Sequence, residues 1–383
     1  MFIPPFCPQR DCNYHEDTHR QASSGGGRWF VRNGFYQTKA FGPVERYRCK
    51  ACGRSFSHQT FRLDYYVKKP LDYLDLLEAL NSGSGLWALG RKHKVSHHSI
   101  INRIGRLARQ DLAITSELLH SERPKVEGGY VIDGFESFIS DQWQPNNIHL
   151  LLGQSSQFLY DFDYAHLRRK GRMTEEQKEE RERREELLVR KRVSIPASFA
   201  RLLTSLEMQV EARLPLTTTL ATDKKKEYGR ELEKASYFKD VREKGRFLFK
   251  TYSSKLARTF NNPLFSANYI DRELRKNNAH YVRESVQFAR SVNNCLERLA
   301  VFQLSHNYFK PYRIEHPEKK YLLHAERAGI PREKIREKLA ALFEARRFYS
   351  HSRLTDSQDL VWRRGVGNVD RFDGGYLPRY IFM

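Results

Sequence analysis

Cysteine is scarce in this chain, and it is distributed badly for a disulfide-built fold: there are five, four of them within the first 52 residues. A framework of bridges through a small secreted domain is therefore excluded. Long apolar runs are also missing, and no stretch approaches the roughly 20 residues of a membrane span. The opening "MFIPPFCPQRDC" has no signal-peptide core, so a soluble, cytoplasmic chain with no membrane partner is expected. Acids are the third deficit. Lys and Arg number 67 against 46 Asp and Glu, a net charge of +21 with a pI near 9.7. An excess of that size points to a polyanionic partner, nucleic acid first, and to association with the nucleoid when bound. At 383 residues and 39% hydrophobic content, the chain can build two or more domains with a real core. No internal repeat is visible.

The crowded cysteines form two short turns, "CPQRDC" and "CKACGRSF". They place Cys7 and Cys12 on one turn and Cys49 and Cys52 on the other, with strand-like pieces "RWFVRNGFYQTK" and "VERYRCK" between them. Two such turns on adjacent hairpins can converge four thiolates tetrahedrally on a structural Zn²⁺. Residues 1–66 are accordingly read as a zinc ribbon. His15 and His19 are left out of the ligand set, because a surface histidine is commoner than a fifth candidate ligand.

Residues 67–122 read as helical. Leu71, Leu74, Leu77 and Leu80 make one stripe, "LWALGRKH" is short, and Ser96 caps a longer helix carrying Ile100, Ile101, Ile104 and Leu107. A short helix, a turn at Lys94-Val95 and a capped helix make the layout of a helix-turn-helix DNA-binding domain. Its candidate DNA contacts are His97, His98, Asn102, Arg103 and Arg106. The competing interpretation is an ordinary helical packing layer with solvated charges.

From residue 128 the pattern changes to three strands, "YVIDGFESF", "NIHLLLG" and "QFLYDFDYA", whose short connections imply antiparallel hairpins. Asp133 sits inside the first, where an unpaired charge would be costly. A charged insertion at about 166–213 follows, with Glu and Arg at i,i+4 spacing and no apolar stripe until Leu187 and Leu188, which reads as a solvent-exposed helix. Then a β-branched strand from Leu216 ends at Asp223. If the two strands are neighbours, Asp133 and Asp223 meet at one sheet end and can share a divalent cation, whose hard charge offsets their desolvation and mutual repulsion. A third ligand is expected from a packed helix with Tyr281, Phe288, Val292, Cys295, Leu299 and Phe302 on one face. Glu284 falls on that stripe and is selected; Glu297 points to the other side, and Glu273 remains open although Asn277-Asn278 interrupts the helix before it.

The two cysteine turns, the helical triplet, "VIDGFESF", "TLATDKKKEY", "NPLFSANYIDRELRK" and "YVRESVQFARSVNNCLERLAVFQLSHNYFKPYR" together resemble the DDE transposases of bacterial insertion sequences that carry an N-terminal zinc ribbon. The resemblance covers roughly residues 6–313. It implies a mixed α+β, α/β-like multidomain chain with a ribonuclease-H-like mixed sheet flanked by helices at 123–315 and a basic tail at 316–383. It also implies a catalytic trio of Asp133, Asp223 and Glu284 binding Mg²⁺ (or Mn²⁺), with Arg290 as a phosphate contact. The activity implied is cleavage and strand transfer of double-stranded DNA at terminal inverted repeats and target, by a homo-oligomer on paired ends. The alternatives are a DNA-binding regulator whose core no longer catalyses, and a ribonuclease-H-like nuclease without strand transfer. For the tail, with its amphipathic "PREKIREKLAALFEARRFYS", the alternatives are closing over the core, touching DNA, and touching a second subunit.

If the excess cations contact phosphates, affinity for DNA should fall by roughly a thousandfold or more between low and moderate salt for 6 to 10 contacts. A titration at several salt concentrations checks this, and a flat response would remove the nucleic-acid expectation.

Overall fold

A computed structural model describes residues 2–16, 28–186, 192–282, 286–313 and 322–366. The chain is a mixed α+β protein with a small antiparallel sheet and a five-stranded mixed sheet. Among the described residues no helix is long and apolar enough to cross a membrane.

The head contains α1 (Asn13–Glu16), β1 (Phe30–Thr38), β2 (Gly42–Cys49) and β3 (Ser55–Ser57), paired antiparallel in that order. The β1–β2 turn closes on Thr38, whose hydroxyl donates to the Gly42 carbonyl at 3.1 Å and accepts from Phe41 N–H at 3.0 Å. Too small for a conventional core, the head packs Trp29, Phe30, Tyr47, Phe56 and Phe61 around the cysteines.

Three helices follow: α2 (Tyr73–Leu80), α3 (Leu86–Lys92) and α4 (His97–Glu122). Asp72 caps α2 by accepting from Leu74 and Asp75 N–H, and Ser96 caps α4 by accepting from Ser99 N–H at 3.3 Å. Between α3 and α4 the chain reverses tightly: Lys94 adopts φ +53°, and a side chain at Gly90 would meet the Val95 carbonyl at 2.9 Å. The expected turn at Lys94-Val95 is present.

The large sheet is built from β4 (Gly129–Phe138), β5 (Pro145–Gly153), β6 (Leu159–His166), β7 (Thr218–Asp223) and β8 (Phe247–Tyr252), in spatial order β6-β5-β4-β7-β8. The first three form the expected hairpins; β7 is parallel to both β4 and β8. Side-chain alternation divides the helices between the two faces. His149 on β5, opposite Gly134, bonds Ser198 of α6 (Ile195–Arg213) and Tyr228 of α7 (Lys226–Lys234). Phe135, one step on, faces the other way and packs edge-on against Tyr281, which lies between α9 (Phe265–Asn277) and α10 (Val292–Tyr308). α8 (Ser236–Glu243) leads into β8. α10 packs along α4, joining helical layer and sheet in one core.

Two elements differ from the sequence expectation, and for the described part of the tail one of the alternatives left open, packing on the core, is present. The charged stretch at 166–213 divides: α5 (Glu175–Glu186) buries nothing, as expected, but α6 buries Phe199, Leu202, Leu203, Leu206 and Val210 on the sheet. Leu187 and Leu188 lie outside the described residues. The single helix expected from Tyr281 to Phe302 begins only at Val292; Tyr281 reaches the core from a turn instead, and Phe288 is half-buried against Phe138. The described part of the tail is packed. α11 (His324–Ala328), α12 (Arg332–Leu339) and α13 (Asp356–Trp362) lie against α10, α4 and β6 respectively. The aromatic stretch at 367–383 lies outside the described residues.

The tail is held by polar bonds to buried acids. On β6, Asp161 accepts from the hydroxyls of Ser205 (α6) and Thr355, the latter at 2.8 Å, while Asp163 accepts from Ser357 at 2.6 Å and pairs with Arg201 at 2.6 and 2.7 Å. Burial pushes the Asp161 carboxyl up to about 6, although the Ser205, Thr355 and Phe162 donors favour its ionised form. Its folded pKa therefore exceeds the unfolded value, the folded state holds the extra proton between the two, and stability falls as pH rises through that window. Asp161→Asn should remove this dependence: relative to the parent, the variant should gain about 2 kcal/mol between about pH 4.5 and about pH 8. Urea denaturation at both pH values measures it.

Candidate functional sites: a cysteine cluster and a carboxylate pair

The four head cysteines converge. Cys7 and Cys52 sulfurs lie 3.6 Å apart, Cys12 and Cys49 sulfurs 3.7 Å, and all four fall within 4.8 Å of one another. A zinc tetrahedron with bonds of about 2.3 Å has edges of about 3.8 Å, close to the two shortest sulfur separations, so the cluster could hold Zn²⁺. Each pair sits on a tight turn. Cys7 N–H donates to Tyr14 O at 2.8 Å and Cys12 N–H to Gln9 O at 3.1 Å; Gly53, at φ +69°, donates to Cys49 O at 3.1 Å. Burial pushes the Cys7 thiol up, the penalty that a bound dication offsets by stabilising thiolates. His15 stands outside the tetrahedron: its Nδ1 is 2.6 Å from Cys7 O and its Nε2 2.7 Å from Ser350 Oγ, so both ring nitrogens are engaged and link the cluster to the tail.

The second cluster lies where β7 ends beside the middle of β4. Parallel pairing sets Ile132 opposite Thr222, so the next residues, Asp133 and Asp223, stand side by side on the α9 face. Asp133 is half-buried and accepts from Gly134 N–H at 2.8 Å. Burial, followed by the charge of Asp223, raises its carboxyl to about 6, while Gly134 N–H, Lys225 and Arg258 act in the opposite direction. Asp223 accepts from Lys225 N–H at 3.2 Å, and the Lys225 ammonium is 3.6 Å from its Oδ2. The same ammonium donates to Tyr228 Oη at 3.3 Å; Tyr228 meets His149 Nε2 at 3.0 Å, and His149 Nδ1 meets Ser198 Oγ at 2.8 Å. Burial pushes His149 down to about 3, so the ring is neutral, with one nitrogen donating and one accepting. A paired, partly desolvated set of carboxylate oxygens suits a hard divalent cation.

Glu284 lies outside the described residues. The alternative glutamates are engaged elsewhere. Glu273 is buried against Lys310 and accepts from Asn277 Nδ2 at 2.8 Å. Glu297, turned toward α4, is buried near Arg109 (3.7 Å) and Arg364 (3.6 Å). Arg290 is exposed, and its carbonyl receives the Ser140 hydroxyl at 3.5 Å.

On the helical layer the five candidate DNA contacts divide by exposure. His98 and Asn102 are exposed, and the His97 ring lies tilted 4.3 Å from that of Trp87, which is left 66% exposed. Arg103 is buried and donates to Asn102 Oδ1 and Lys69 O; Arg106 donates to the same Oδ1 and to Leu63 O. These two guanidiniums brace α4 against the 63–69 segment. Sequence reasoning also passed over Lys225 and Arg258. The first was legible, two residues beyond Asp223; the second had no signal, since only the fold brings it near Asp133.

Purified protein should carry one Zn²⁺ per chain by metal analysis, and Cys7→Ser or Cys49→Ser should lose it and lower the melting temperature, with destabilisation of several kcal/mol. In comparisons with known proteins, no family model, no curated protein and no solved structure matches the chain.

Proposed function

We propose that this chain is a metal-dependent DNA phosphoryl transferase of the DDE transposase kind. The observation that carries the proposal is the juxtaposition of Asp133 and Asp223 where β7 ends beside the middle of the parallel strand β4. The strand order, three antiparallel strands followed by two parallel ones, supports a ribonuclease-H-like core. The head and helical triplet support a zinc ribbon and a helix-turn-helix that grip transposon ends.

Glu284 is proposed as the third acid. The described chain on either side of it is tied to β4 and the turn after it: Tyr281 packs on Phe135 at 5.2 Å, Phe288 on Phe138 at 5.4 Å, and Ser140 N–H donates to Ala289 O at 2.8 Å. Mg²⁺ held by these acids would supply an activated nucleophile and charge stabilisation at the departing 3′ oxygen. The chain's own contribution is to hold two carboxylates fixed from neighbouring strands, with Lys225 orienting Asp223 in the resting site. Tyr228 and His149 in turn hold Lys225, so the ammonium has a defined place rather than a free side chain's spread.

The test is incubation of labelled DNA carrying the ends flanking the protein's own gene, with Mg²⁺ or Ca²⁺. Wild type should yield 3′-end cleavage and joined products with Mg²⁺ alone. Asp133→Asn, Asp223→Asn and Glu284→Gln should each reduce both to background while DNA affinity stays within about threefold, since phosphate contacts dominate binding. Binding to the ends without cleavage by wild type would replace the proposal with a non-catalytic regulator, and cleavage without joining with a nuclease.

A further inference from the structure

α9 is amphipathic in an uncommon way. One stripe, Ala267, Ile270 and Leu274, is buried in the core. The opposite stripe carries Phe265, Tyr269, Arg272 and Lys276 at helical steps of four, three and four, and opens onto a cavity of about 590 Å³. Arg258, from the segment before α9, and Arg275 complete a lining of four cations against one acid, Asp271. At the rim stands Phe260, 62% exposed, set edge-on to Phe265 at 5.3 Å with the Arg313 guanidinium 5.4 Å from its ring.

The groove leads to the carboxylate pair. Arg258 acts electrostatically on Asp133, and Arg275 lies 4.6 Å over the ring of Phe135, two residues further along β4, donating to Glu136 O at 2.9 Å. Arg275 is thus anchored to the strand, whereas Arg258, Arg272 and Lys276 are exposed along the opening. Cations in a row answer phosphates at successive positions. An exposed ring beside them offers a stacking surface that only an unpaired base can reach.

We infer that this groove binds a locally unpaired DNA strand, with Arg258, Arg272 and Lys276 on its phosphates and Phe260 against a base, and leads that strand to Asp133 and Asp223. The inference rests on the phosphoryl-transfer reading for its direction, but not for the binding itself. It adds a strand path separate from the head and helical layer, which would hold duplex.

The experiment is fluorescence anisotropy of the full chain with a single strand, a forked duplex and a blunt duplex of one sequence, at several salt concentrations. The variants are R258E/R272E/K276E, Phe260→Ala, and a charge-matched control on α5, K178E/R181E/R183E. The groove triple should weaken single-strand and fork binding at least tenfold and flatten the slope of log K against log salt by about 2, as expected for three lost single-strand phosphate contacts. Phe260→Ala should weaken fork binding by roughly fivefold or more, in keeping with loss of one stacked base, and leave the salt slope unchanged. Equal losses in the α5 control, or an unchanged slope in the groove triple, would overturn the assignment, as would tighter binding of an RNA strand of the same sequence. Groove-dependent binding without Mg²⁺-dependent cleavage by wild type would overturn the catalytic reading and leave the groove; intact cleavage with no effect of the groove variants would do the reverse.

Discussion

The register between β4 and β7 is the constraint on which the rest of the sheet depends. Because the strands run parallel with Ile132 opposite Thr222, the residues that follow, both aspartates, fall at the same height and on the same face. A slip of one residue would turn Asp223 to the α6 face, into a layer filled by Phe199, Leu202 and Tyr228. The apolar residues Tyr130, Ile132, Leu220 and Ala221, all buried, therefore fix the register, and the acids inherit their juxtaposition from it. A parallel pair also requires a long crossover, and α6 supplies it. That explains why a helix embedded in so charged a stretch still carries a continuous apolar face.

Polar bonds act together with buried apolar side chains, among them Ile330, Ile335, Leu342 and Trp362, in placing the C-terminal segment. Gln110 on α4 donates to Leu342 O and Ala345 O, both at 2.7 Å, and accepts from Arg347 N–H at 2.7 Å; Arg346 N–H donates to Phe61 O and Leu63 N–H to Glu344 O. With Thr355 and Ser357 on the β6 acids, these bonds lash one strap across head, helical layer and sheet. Each involves a group that is buried, so each bond lost would leave an unsatisfied partner behind.

Features set by neighbours in sequence were legible: the cysteine turns, the cap at Ser96, the reversal at Lys94, the three hairpin strands and the Asp at the end of β7. Features set by distant partners were not. Tyr281 and Phe288 fall at helical spacing from the apolar face of α10, yet each precedes that helix and meets its own aromatic partner on β4, Tyr281 buried and Phe288 half-buried, and periodicity cannot separate those cases. Arg103 and Arg106 read as groove contacts from charge alone, whereas their bonds to Lys69 and Leu63 carbonyls depend on a loop packed beside the helix. β8, "FLFKTY", carries a Lys and only one fully buried side chain, so its strand character comes from pairing with β7.

The aromatic cluster around the cysteines includes Phe348, and Ser350 closes the bond to His15. The two ends of the described chain thus share one small core. During synthesis the cysteine turns emerge first but wait for a ring made some three hundred residues later. Metal capture would then have to stabilise an unfinished head while the sheet is being completed, and a chain truncated before Phe348 would present its metal site without a lid.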